Sequence, residues 1–291
     1  TGVELVYANN ARSMMFCGPA AKAAGLPRLW YVRGDQRVRG LFDAALRLSN
    51  RVVLIAEALR SVFTPAERSR FSERFRVLNT GFDVAHFARP AAVRVEMRRK
   101  LGVPDSAFVV GMVGSISARK GHDLLVPALG ALMDAKTHLH ALIVGGAVEG
   151  SEQFAEDLKA QSAALASASR WHWLGYRQDI GDCYAAMDLL VLPSRAEGLP
   201  RTIVEALAAG LPVVASAAGA SRQLLGDVRL GHVVEPLTVE GLQSAMTDAM
   251  QSADVGSASR AFRRSYVQDN LSIEAYVNGF LTIARELVND H

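Results

Sequence analysis

Short apolar runs alternate with helix-forming segments along most of this 291-residue chain. Their near-continuous hydrophobicity is typical of strands that are covered on both faces, as in parallel sheets. A regular alternation of such strands with helices predicts an α/β fold, in which parallel sheets carry crossover helices on both faces. From residue 108 onward the runs are FVVGMVG (108–114), HALIVGG (140–146), WHWLG (171–175), DLLVLPS (188–194), LPVVAS (211–216) and GHVVE (231–235).

Helices are predicted between these runs. The first hundred residues repeat the alternation of strands and helices with fewer elements. Thr64-Pro-Ala-Glu67 has the capping-box pattern with proline at the first helical position, so a helix is expected to start there. The predicted N-terminal strands are 3–10, 27–34, 51–56 and 75–81, with a helix at 11–25. The other predicted helices are 121–135, 150–168, 180–187, 200–209, 219–225, 238–252, 257–268 and 273–289.

The length of the chain favours two domains, because a single domain usually has roughly 100–200 residues. The polar, charge-dense stretch 84–106 marks the predicted boundary. We therefore expect one domain at 1–88 and a second at 89–272. The last helix, at about 273–291, is expected to pack back on the N-terminal domain.

Charge is distributed unevenly along the chain. Residues 1–100 contain 18 Lys/Arg and 8 Asp/Glu, whereas residues 101–291 contain 14 and 21. A basic first segment suggests an anionic partner, such as a membrane surface, a phosphorylated acceptor or nucleic acid. An arginine-rich solvated surface explains the same composition equally well. Nucleic acid is the least favoured partner, since the segment has no interleaved aromatic residues for base stacking and no recognisable reading motif.

Two further features indicate a soluble, cytoplasmic protein. No stretch approaches the ~18–20 uninterrupted apolar residues of a membrane span. Cys17 and Cys183 lie far apart without metal-ligand spacing, which suits a reducing compartment, and both are expected to be buried. Of the histidines, His122 is expected on a helix surface, with contact to a bound ligand as the alternative, and His172 is expected in the core. The sequence has no Asp-x-Asp pair and no metal-type cluster, so we expect neither a metal nor another cofactor.

The segment RAEGLPRTIVEALAAG (195–210) places two glutamates around a turn and an apolar helix. It follows a predicted buried strand, and ligands of doubly wound sheets bind at the carboxyl ends of strands, where helix N-termini offer N–H groups to anions. Backbone N–H groups near residues 200–203 are therefore expected to face a phosphate, with Lys120 in the RKG turn of another strand-ending loop as a candidate cation. If both were helical, Glu197 and Glu205 would lie about 12 Å apart along the axis. In glycoside hydrolases the two catalytic carboxyl groups are roughly 5–9.5 Å apart. The larger separation here argues against a hydrolase pair. It fits better with two carboxylates that hold different hydroxyl groups of one ligand.

These segments together resemble retaining glycosyltransferases of family four. SRAEGLPRTIVEALAAGLPVVAS is closely similar to the family signature, and VGSISARKGHDLLVPAL, LIVGG and WHWLGYRQDIGDCYAAMDLLVLPS occur in the family's order and spacing. The resemblance implies a GT-B fold of two Rossmann-like domains that face a cleft. It also implies hexosyltransferase activity with a nucleotide-sugar donor. Since the family carries earlier strand-helix units, the N-terminal domain of this chain is expected to be incomplete.

The resemblance also implies roles for individual residues. Glu197 would hold hydroxyls of the donor sugar, Lys120 would neutralise the departing diphosphate, and Glu205 would accept hydrogen bonds from the ribose. The backbone of the loop before the helix would approach the sugar and diphosphate, and the segment Gly175–Ile180 would contact the base. The remaining donor-side candidates are Gly114, Ser115, Gly175, Tyr176, Arg177, Ile180, Gly198, Leu199, Pro200 and Thr202.

The chain departs from the family pattern at two places. Ser115 stands where the family usually has an arginine after the first loop glycine, and Arg119 is the candidate that replaces its charge as a third catalytic group. The histidine that commonly lies near the cleft has no counterpart in LWYVRGD. Arg33 and Asp35 are the acceptor-side candidates there, with a structural ion pair as the alternative. Asn9 and Asn10 are further acceptor-side candidates, with capping of the following helix as the alternative.

The reaction implied is transfer of a sugar to a sugar or lipid-linked acceptor, as in cell-envelope polysaccharide synthesis. Contact with an anionic membrane at the periphery is part of this expectation, and nucleic acid is not an expected partner. A catalytically inactive nucleotide-sugar-binding subunit is the main alternative, because Ser115 and the short N-terminal domain weaken the case for turnover. A nucleic-acid-binding protein is the less favoured one.

Overall fold

A computed structural model describes residues 2–34, 37–251 and 256–290 of the chain. Its contacts divide the chain into two compact units. Unit 1 comprises the residues up to Phe82 together with those from Asn270 onward, and unit 2 comprises Asp83–Asp269. The sequence-based prediction had put these two divisions after residue 88 and after residue 272.

Unit 1 is built on a four-stranded parallel sheet with the strand order β1-β2-β3-β4. Asn10 caps the helix after β1 through a hydrogen bond from Ser13 N, and the predicted capping box of Thr64 and Glu67 is present at the third helix. The strands are β1 (Val6–Ala8), β2 (Arg28–Val32), β3 (Arg51–Leu54) and β4 (Phe75–Val77). The helices are α1 (Ala11–Ala23), α2 (Leu41–Leu48), α3 (Pro65–Arg70) and, from the end of the chain, α12 (Ile273–Asn289).

Both faces of the unit 1 sheet are covered, which explains why its central strands are apolar throughout. Successive side chains of a strand point to opposite faces. Trp30 and Val52 accordingly pack in one cluster with residues of α1 and α2. Tyr31 and Val53 pack on the other face with Leu287 of α12.

Unit 2 contains a six-stranded parallel sheet with the order β10-β9-β8-β5-β6-β7. Its strands are β5 (Phe108–Val113), β6 (Leu139–Val144), β7 (Trp171–Gly175), β8 (Leu189–Leu192), β9 (Val213–Ser216) and β10 (Gly231–Val234). Its helices are α4 (Ala91–Leu101), α5 (His122–Ala135), α6 (Glu152–Ala163), α7 (Ile180–Ala186), α8 (Arg201–Ala208), α9 (Ser221–Leu224), α10 (Val239–Gln251) and α11 (Ser257–Leu271), the last of which runs past the boundary at residue 269.

The order of the strands creates a topological switch point between β5 and β8. From β5 the chain proceeds outward to β6 and β7, and it then returns to β8 on the other side of β5. The loops that follow β5 and β8 therefore leave neighbouring strands in different directions. A crevice opens at such a point, at the carboxyl ends of the strands, and it is the usual ligand site of doubly wound sheets.

The α/β class and the parallel sheets predicted from the sequence are confirmed, and each predicted strand region contains a strand. Two helices were not predicted. The helix α2 begins after Gly40, which offers no side-chain cap, and α4 lies inside the polar stretch that we interpreted only as a boundary. Of the cysteines, Cys183 is buried as predicted, whereas Cys17 is only partly buried.

The packing of α12 on unit 1 can be tested by truncating one buried side chain. Leu287 is 4% exposed, and Leu→Ala changes at buried sites typically cost about 2–5 kcal/mol. We expect Leu287→Ala to lower the midpoint of denaturant unfolding substantially. Leu281 lies on the same helix but is 40% exposed, so Leu281→Ala is the matched control and is expected to change the midpoint little. Equal effects of the two changes would contradict the packing.

Candidate functional site

The loops that follow β5 and β8 touch each other directly. Gly121, at the end of the β5 loop, has φ +79°, and a Cβ atom there would lie 2.0 Å from the carbonyl oxygen of Pro193. Farther along, Arg195 N donates a hydrogen bond to the carbonyl oxygen of Arg119 at 2.8 Å. Only glycine satisfies both the backbone conformation and the close approach at position 121.

An ion pair between Lys120 and Glu197 joins the two loops. Lys120 Nζ lies 2.6 Å from Glu197 Oε1, and the two side chains are only 13% and 9% exposed. Arg119 Nη1 lies 3.6 Å from the other carboxylate oxygen and donates to the carbonyl of Ala196 at 2.9 Å. The three residues with predicted catalytic roles are therefore neighbours, although 77 positions of sequence separate Lys120 from Glu197.

A second ion pair fixes the outer side of these loops. Arg195 binds Asp123 with two contacts of 2.8 and 2.6 Å and also donates to the carbonyl of Ala118. The guanidinium of Arg195 is therefore occupied by Asp123 rather than by Glu197. Sequence reasoning missed Asp123, because nothing in the pattern GHDLL distinguishes it from an ordinary acidic residue in the first turn of a helix.

Gly114 opens the β5 loop beside the side chain of Lys120. Its φ is +149°, and a Cβ atom at this position would lie 3.6 Å from Lys120 Cε. Ser115 follows, half-buried, before Ile116 N donates to the carbonyl of Gly146 at 2.8 Å. A side chain at position 114 would therefore be in van der Waals contact with Lys120, and Ser115 adds only a short hydroxyl to the loop.

The first turn of α8 has no side-chain cap. Pro200 occupies the N-cap position and makes no capping hydrogen bond. Ile203 N donates to the carbonyl of Pro200 at 3.1 Å, so this N–H, which we expected to face a phosphate, is already used. The hydroxyl of Thr202 is buried without a hydrogen-bond partner among the described residues. An uncapped N-terminus and an unpartnered hydroxyl form a surface that is suited to an anion.

The residues before α8 turn toward α9. The carbonyl of Gly198 accepts a hydrogen bond from Ala220 N at 2.9 Å, while Leu199 is half-buried. Gly219 lies so close that a Cβ atom there would be 2.3 Å from the Gly198 oxygen. The Gly-Leu-Pro turn is therefore held by backbone contacts with the residues just before α9.

Glu205 lies on α8 with one carboxylate oxygen held by a buried tyrosine. Tyr184 donates its hydroxyl hydrogen to Glu205 Oε2 at 2.9 Å. Burial raises the pKa of Tyr184 well above its usual value, and the negative charge of Glu205 adds to this effect. The hydroxyl therefore stays protonated and remains a donor. Arg201 Nε is 3.8 Å from the other oxygen, and the Glu205 side chain is 13% exposed. Glu205 is therefore no freely exposed helix carboxylate, and no sequence pattern indicates its contact with Tyr184.

The segment that we predicted to contact a base follows β7. Gly175 has φ +64°, and its carbonyl accepts a hydrogen bond from Gly145 N at 2.8 Å. Tyr176 is 81% exposed. Arg177 forms a bidentate pair with Asp179 at 2.8 and 2.6 Å, directly before α7 begins at Ile180. The guanidinium of Arg177 is thus committed to a local contact.

Three of the four acceptor-side candidates line one cavity of about 370 Å³ in unit 1, at the carboxyl ends of β1 and β2. Asn9 accepts a hydrogen bond from Tyr7 at 3.2 Å, and Asn10 caps α1, which was its structural alternative. Arg33 is exposed and lies over the ring of Tyr31, 4.9 Å from its centre. Asp35, the fourth candidate, lies outside the described residues.

His122 corrects one prediction. We expected it on the helix surface, but it is 1% exposed, and neither ring nitrogen has a hydrogen-bond partner among the described residues. Burial lowers its pKa to about 4. The first position of a helix is usually open to solvent, but the adjacent loops cover it here. His172 is half-buried in β7 and lies 3.1 Å from His140 between ring nitrogens.

Across residues 2–34, 37–251 and 256–290, no three His, Cys, Asp or Glu side chains are grouped so that they would hold a metal ion. In the same ranges, no helix is both long and apolar enough to cross a bilayer.

Comparisons with known proteins identify the fold and the family of this chain. The described fold is similar to the crystal structure of Anabaena HepE in complex with UDP, with a TM-score of 0.77 at 23% identity over 99% of this chain and 78% of that one. The protein has the GT-B fold of glycosyltransferases. A family model described as "Glycosyl transferases group 1" matches residues 107–252, and the chain belongs to that family.

Two curated relatives act in lipopolysaccharide core biosynthesis according to their names. The mannosyltransferase LpsB of Rhizobium meliloti (strain 1021) is 28% identical over 214 residues, which are 73% of this chain and 61% of LpsB. The mannosyltransferase LpcC of Rhizobium leguminosarum bv. viciae is 30% identical over 215 residues, which are 74% of this chain and 60% of LpcC. The matches therefore span about three fifths of the length of these relatives.

The buried histidine of the site gives a pH prediction. Its pKa is about 4 in the folded chain and about 6.5 when unfolded, so the unfolded state binds more protons between these values, and stability is lost as the pH falls from about 6.5 to about 4. The loss is on the order of 3 kcal/mol. We expect His122→Leu to flatten the dependence of the unfolding midpoint on pH in this window.

His140 and His172, whose pKa values are also lowered by burial, remain in both proteins, so the difference isolates His122. His138 is exposed, and His138→Gln serves as the control that should leave the pH dependence unchanged. An unchanged pH dependence in His122→Leu would show that the ring is not held neutral by burial.

Proposed function

We propose that this chain transfers a sugar from a nucleoside diphosphate to an acceptor hydroxyl, with retention of the anomeric configuration. The observation that carries the proposal is the Lys120–Glu197 pair at the switch point of the unit 2 sheet. A glycosyltransferase breaks the bond between the donor sugar and the diphosphate. The cation suits the diphosphate side of this bond, and the carboxylate suits the hydroxyl groups of the sugar. HepE binds UDP and LpsB is named a mannosyltransferase, which supports this class of donor.

Lys120 and Glu197 can both bind the nucleotide-sugar donor while their ion pair stays intact. An ammonium has three N–H donors and a carboxylate has two acceptor oxygens. Lys120 can therefore keep its contact with Glu197 and also donate to the leaving diphosphate. Glu197 can keep Lys120 and accept a hydroxyl of the donor sugar with its second oxygen. The ion pair would position both groups before the donor arrives, which is how preorganised charge contributes most to catalysis.

The other donor contacts are proposed along α8. The first turn of α8 and the unpartnered hydroxyl of Thr202 would bind the diphosphate. Glu205 would accept hydrogen bonds from the ribose hydroxyls while Tyr184 holds its other oxygen. The exposed ring of Tyr176 and the backbone from Gly175 to Ile180 would lie near the base.

The bond changes balance without a side-chain nucleophile. The bond between the anomeric carbon and the diphosphate oxygen breaks, and the acceptor oxygen bonds to the same carbon from the face that the diphosphate leaves. The departing diphosphate oxygen takes the proton of the acceptor hydroxyl. Lys120, Arg119 and the α8 N-terminus would stabilise the charge that develops on the diphosphate. We propose that these groups suffice without a metal ion. Arg119 would supply the charge that Ser115 lacks.

The acceptor is proposed to be a sugar or a lipid-linked glycan of the cell envelope, the setting in which LpsB and LpcC are named. The unit 1 cavity that contains Asn9, Asn10 and Arg33 is the candidate acceptor surface. Amide groups, a guanidinium and the neighbouring aromatic rings of Trp30 and Tyr31 offer the mixed polar and stacking contacts that sugars need.

Donor binding can be tested by thermal shift with UDP, GDP and ADP in a buffer with a chelator. A nucleotide that binds the folded state raises the melting temperature by mass action. We expect one of the three to do so, and Lys120→Ala to weaken its binding by about 10- to 150-fold, the worth of one charge-assisted hydrogen bond of ~1.5–3 kcal/mol. Arg119→Ala should weaken it less, since that side chain is 52% exposed. Arg68→Ala, an exposed arginine of α3, is the matched control.

Several outcomes would separate the parts of this proposal. Binding by Lys120→Ala equal to that of the unchanged chain would remove the proposed site. Full activity of Arg119→Ala beside an inactive Lys120→Ala would show that Arg119 does not compensate for Ser115. Nucleotide binding without sugar transfer by the full-length protein would favour the inactive binding subunit, and transfer only after addition of Mg²⁺ or Mn²⁺ would refute metal independence.

We further propose that unit 1 contacts an anionic membrane at the periphery. Unit 1 contains 14 Lys/Arg against 9 Asp/Glu in the printed sequence. Arg39, Arg47 and Arg70 are exposed and line one concavity of about 530 Å³. Arg37 in the same place is neutralised by Asp43 at 2.5 Å and Glu67 at 2.7 Å. Three guanidiniums thus remain for lipid phosphates.

Vesicle sedimentation tests this contact. An arginine near an anionic surface contributes about 1 kcal/mol, or roughly fivefold in affinity. We expect binding to vesicles with phosphatidylglycerol and not to neutral phosphatidylcholine, with Arg39→Gln, Arg47→Gln and Arg70→Gln each weakening it about fivefold. Arg68→Gln removes the same charge outside the concavity and should matter less. Equal binding to both vesicle types would refute the membrane contact.

A further inference from the structure

A second polar cavity lies in unit 2, at the opposite end of the strands that carry the candidate donor site. Asp188 directly precedes β8, and its carboxylate accepts a hydrogen bond from Val109 N near the start of β5 at 2.9 Å. The cavity beside it, of about 340 Å³, is thus at the amino ends of β5 and β8. Lys120 and Glu197 lie beyond the carboxyl ends of the same strands, so the two places are separate.

The cavity concentrates arginine around a single carboxylate. Asp188 contacts Arg94 and Arg98 at 2.6 Å each and Arg260 at 3.4 Å. Arg264 also lines the cavity. Arg89, another lining residue, is neutralised by Asp182 at 2.9 Å. Three guanidiniums therefore share the carboxylate of Asp188, and Arg264 brings a fourth guanidinium to the same cavity.

Helix ends compensate for part of this charge. Arg94 donates to the carbonyl of Met187 after α7 at 2.8 Å, and Arg264 donates to the carbonyl of Ala209 after α8 at 3.1 Å. The C-terminus of a helix is equivalent to roughly half a negative charge. Two helix ends and Asp188 thus balance about two of the four positive charges. An excess of about two positive charges remains, which the exposed Asp105 offsets in part, because its carboxylate also attracts Arg98.

Two of these arginines also have hydrogen-bonding capacity to spare. Arg264 Nε is buried without a partner among the described residues. Arg260 Nη2 has only long contacts, at 3.4 Å to Asp188 and 3.5 Å to the carbonyl of Met187. Burial lowers the pKa of Arg260, and repulsion from Arg94, Arg264 and Arg98 acts in the same direction against the attraction of Asp188. The charges repel one another, and the groups bonded to them among the described residues relieve only part of this repulsion.

We propose that this cavity binds a phosphate group, either as the free ion or as a phosphomonoester of a small molecule. A phosphate dianion matches the excess of about two positive charges, and guanidiniums bind phosphate oxygens in a bidentate manner. Phe87, Pro90 and Ala91 form an apolar part of the wall. That part leaves room for an organic substituent on the phosphate.

The test is equilibrium binding of inorganic phosphate and of glycerol 3-phosphate, measured by calorimetry at constant ionic strength. It is done in a Lys120→Ala background, so that a phosphate at the candidate donor site cannot account for the signal. We expect one site per chain, and at least tenfold weaker binding in Arg264→Gln and in Arg260→Gln. Arg68→Gln, which removes the same charge elsewhere, should bind as the parent does. Tighter binding of inorganic phosphate would identify an ion site, and tighter binding of glycerol 3-phosphate a phosphomonoester site.

The proposal is overturned if neither probe binds the Lys120→Ala protein, if Arg68→Gln weakens binding as much as Arg264→Gln does, or if both cavity variants bind with unchanged affinity. Arg264→Lys keeps the charge but loses Nε, and it should still weaken binding. It replaces Arg264→Gln in the comparison if the latter fails to fold. The outcome is independent of sugar transfer, because the binding of each probe is measured directly and the cavity variants leave the candidate donor site as it is in the parent protein.

Discussion

The pairing of β5 with β8 is the constraint on which the candidate site depends. Val110 lies opposite Leu189 and Gly111 opposite Leu190, which makes neighbours of two strands that are almost 80 residues apart in sequence. Gly111 leaves room for the Met187 side chain, because a Cβ atom there would lie 2.1 Å from Met187 Sδ. The loops beyond the strands are brought together by the strand pairing, and Gly121 approaches the backbone of Pro193 there. A larger residue at Gly121 would clash with that backbone and push apart the loops that carry Lys120 and Glu197.

The Lys120–Glu197 pair is better understood as a positioning device than as a source of stability. Both side chains are largely removed from water, and the desolvation of two charges offsets much of their attraction. Removal of one partner would leave the other charge buried, which is why single substitutions there have consequences for folding as well as for ligand binding. The pair nevertheless holds a donor and an acceptor at a fixed separation, with bonding capacity left on each.

The sequence predicts the strands well because strands covered on both faces need continuous apolar runs, and those runs are visible one by one. It predicts the loop residues through the strand ends and through the family resemblance. It does not predict partners that come from distant segments. The hydroxyl of Tyr184 on Glu205, the pairing of Arg195 with Asp123, and the arginines around Asp188 depend on three-dimensional packing. The helix α4 was missed for a related reason: its arginines make the segment appear solvent-exposed, yet Arg98 is buried against Asp188.

The hydrogen bond from Tyr184 makes the two oxygens of Glu205 unequal. One oxygen is anchored in the interior by a phenol that stays protonated throughout the physiological range, whereas the other has only Arg201 near it, at 3.8 Å. A carboxylate held in this way cannot rotate to exchange its oxygens without losing a buried bond. A diol that binds Glu205 would therefore donate its hydrogen bonds to one carboxylate oxygen in a fixed orientation. The orientation of the Glu205 carboxylate is thus set by a side chain of α7, the neighbouring helix.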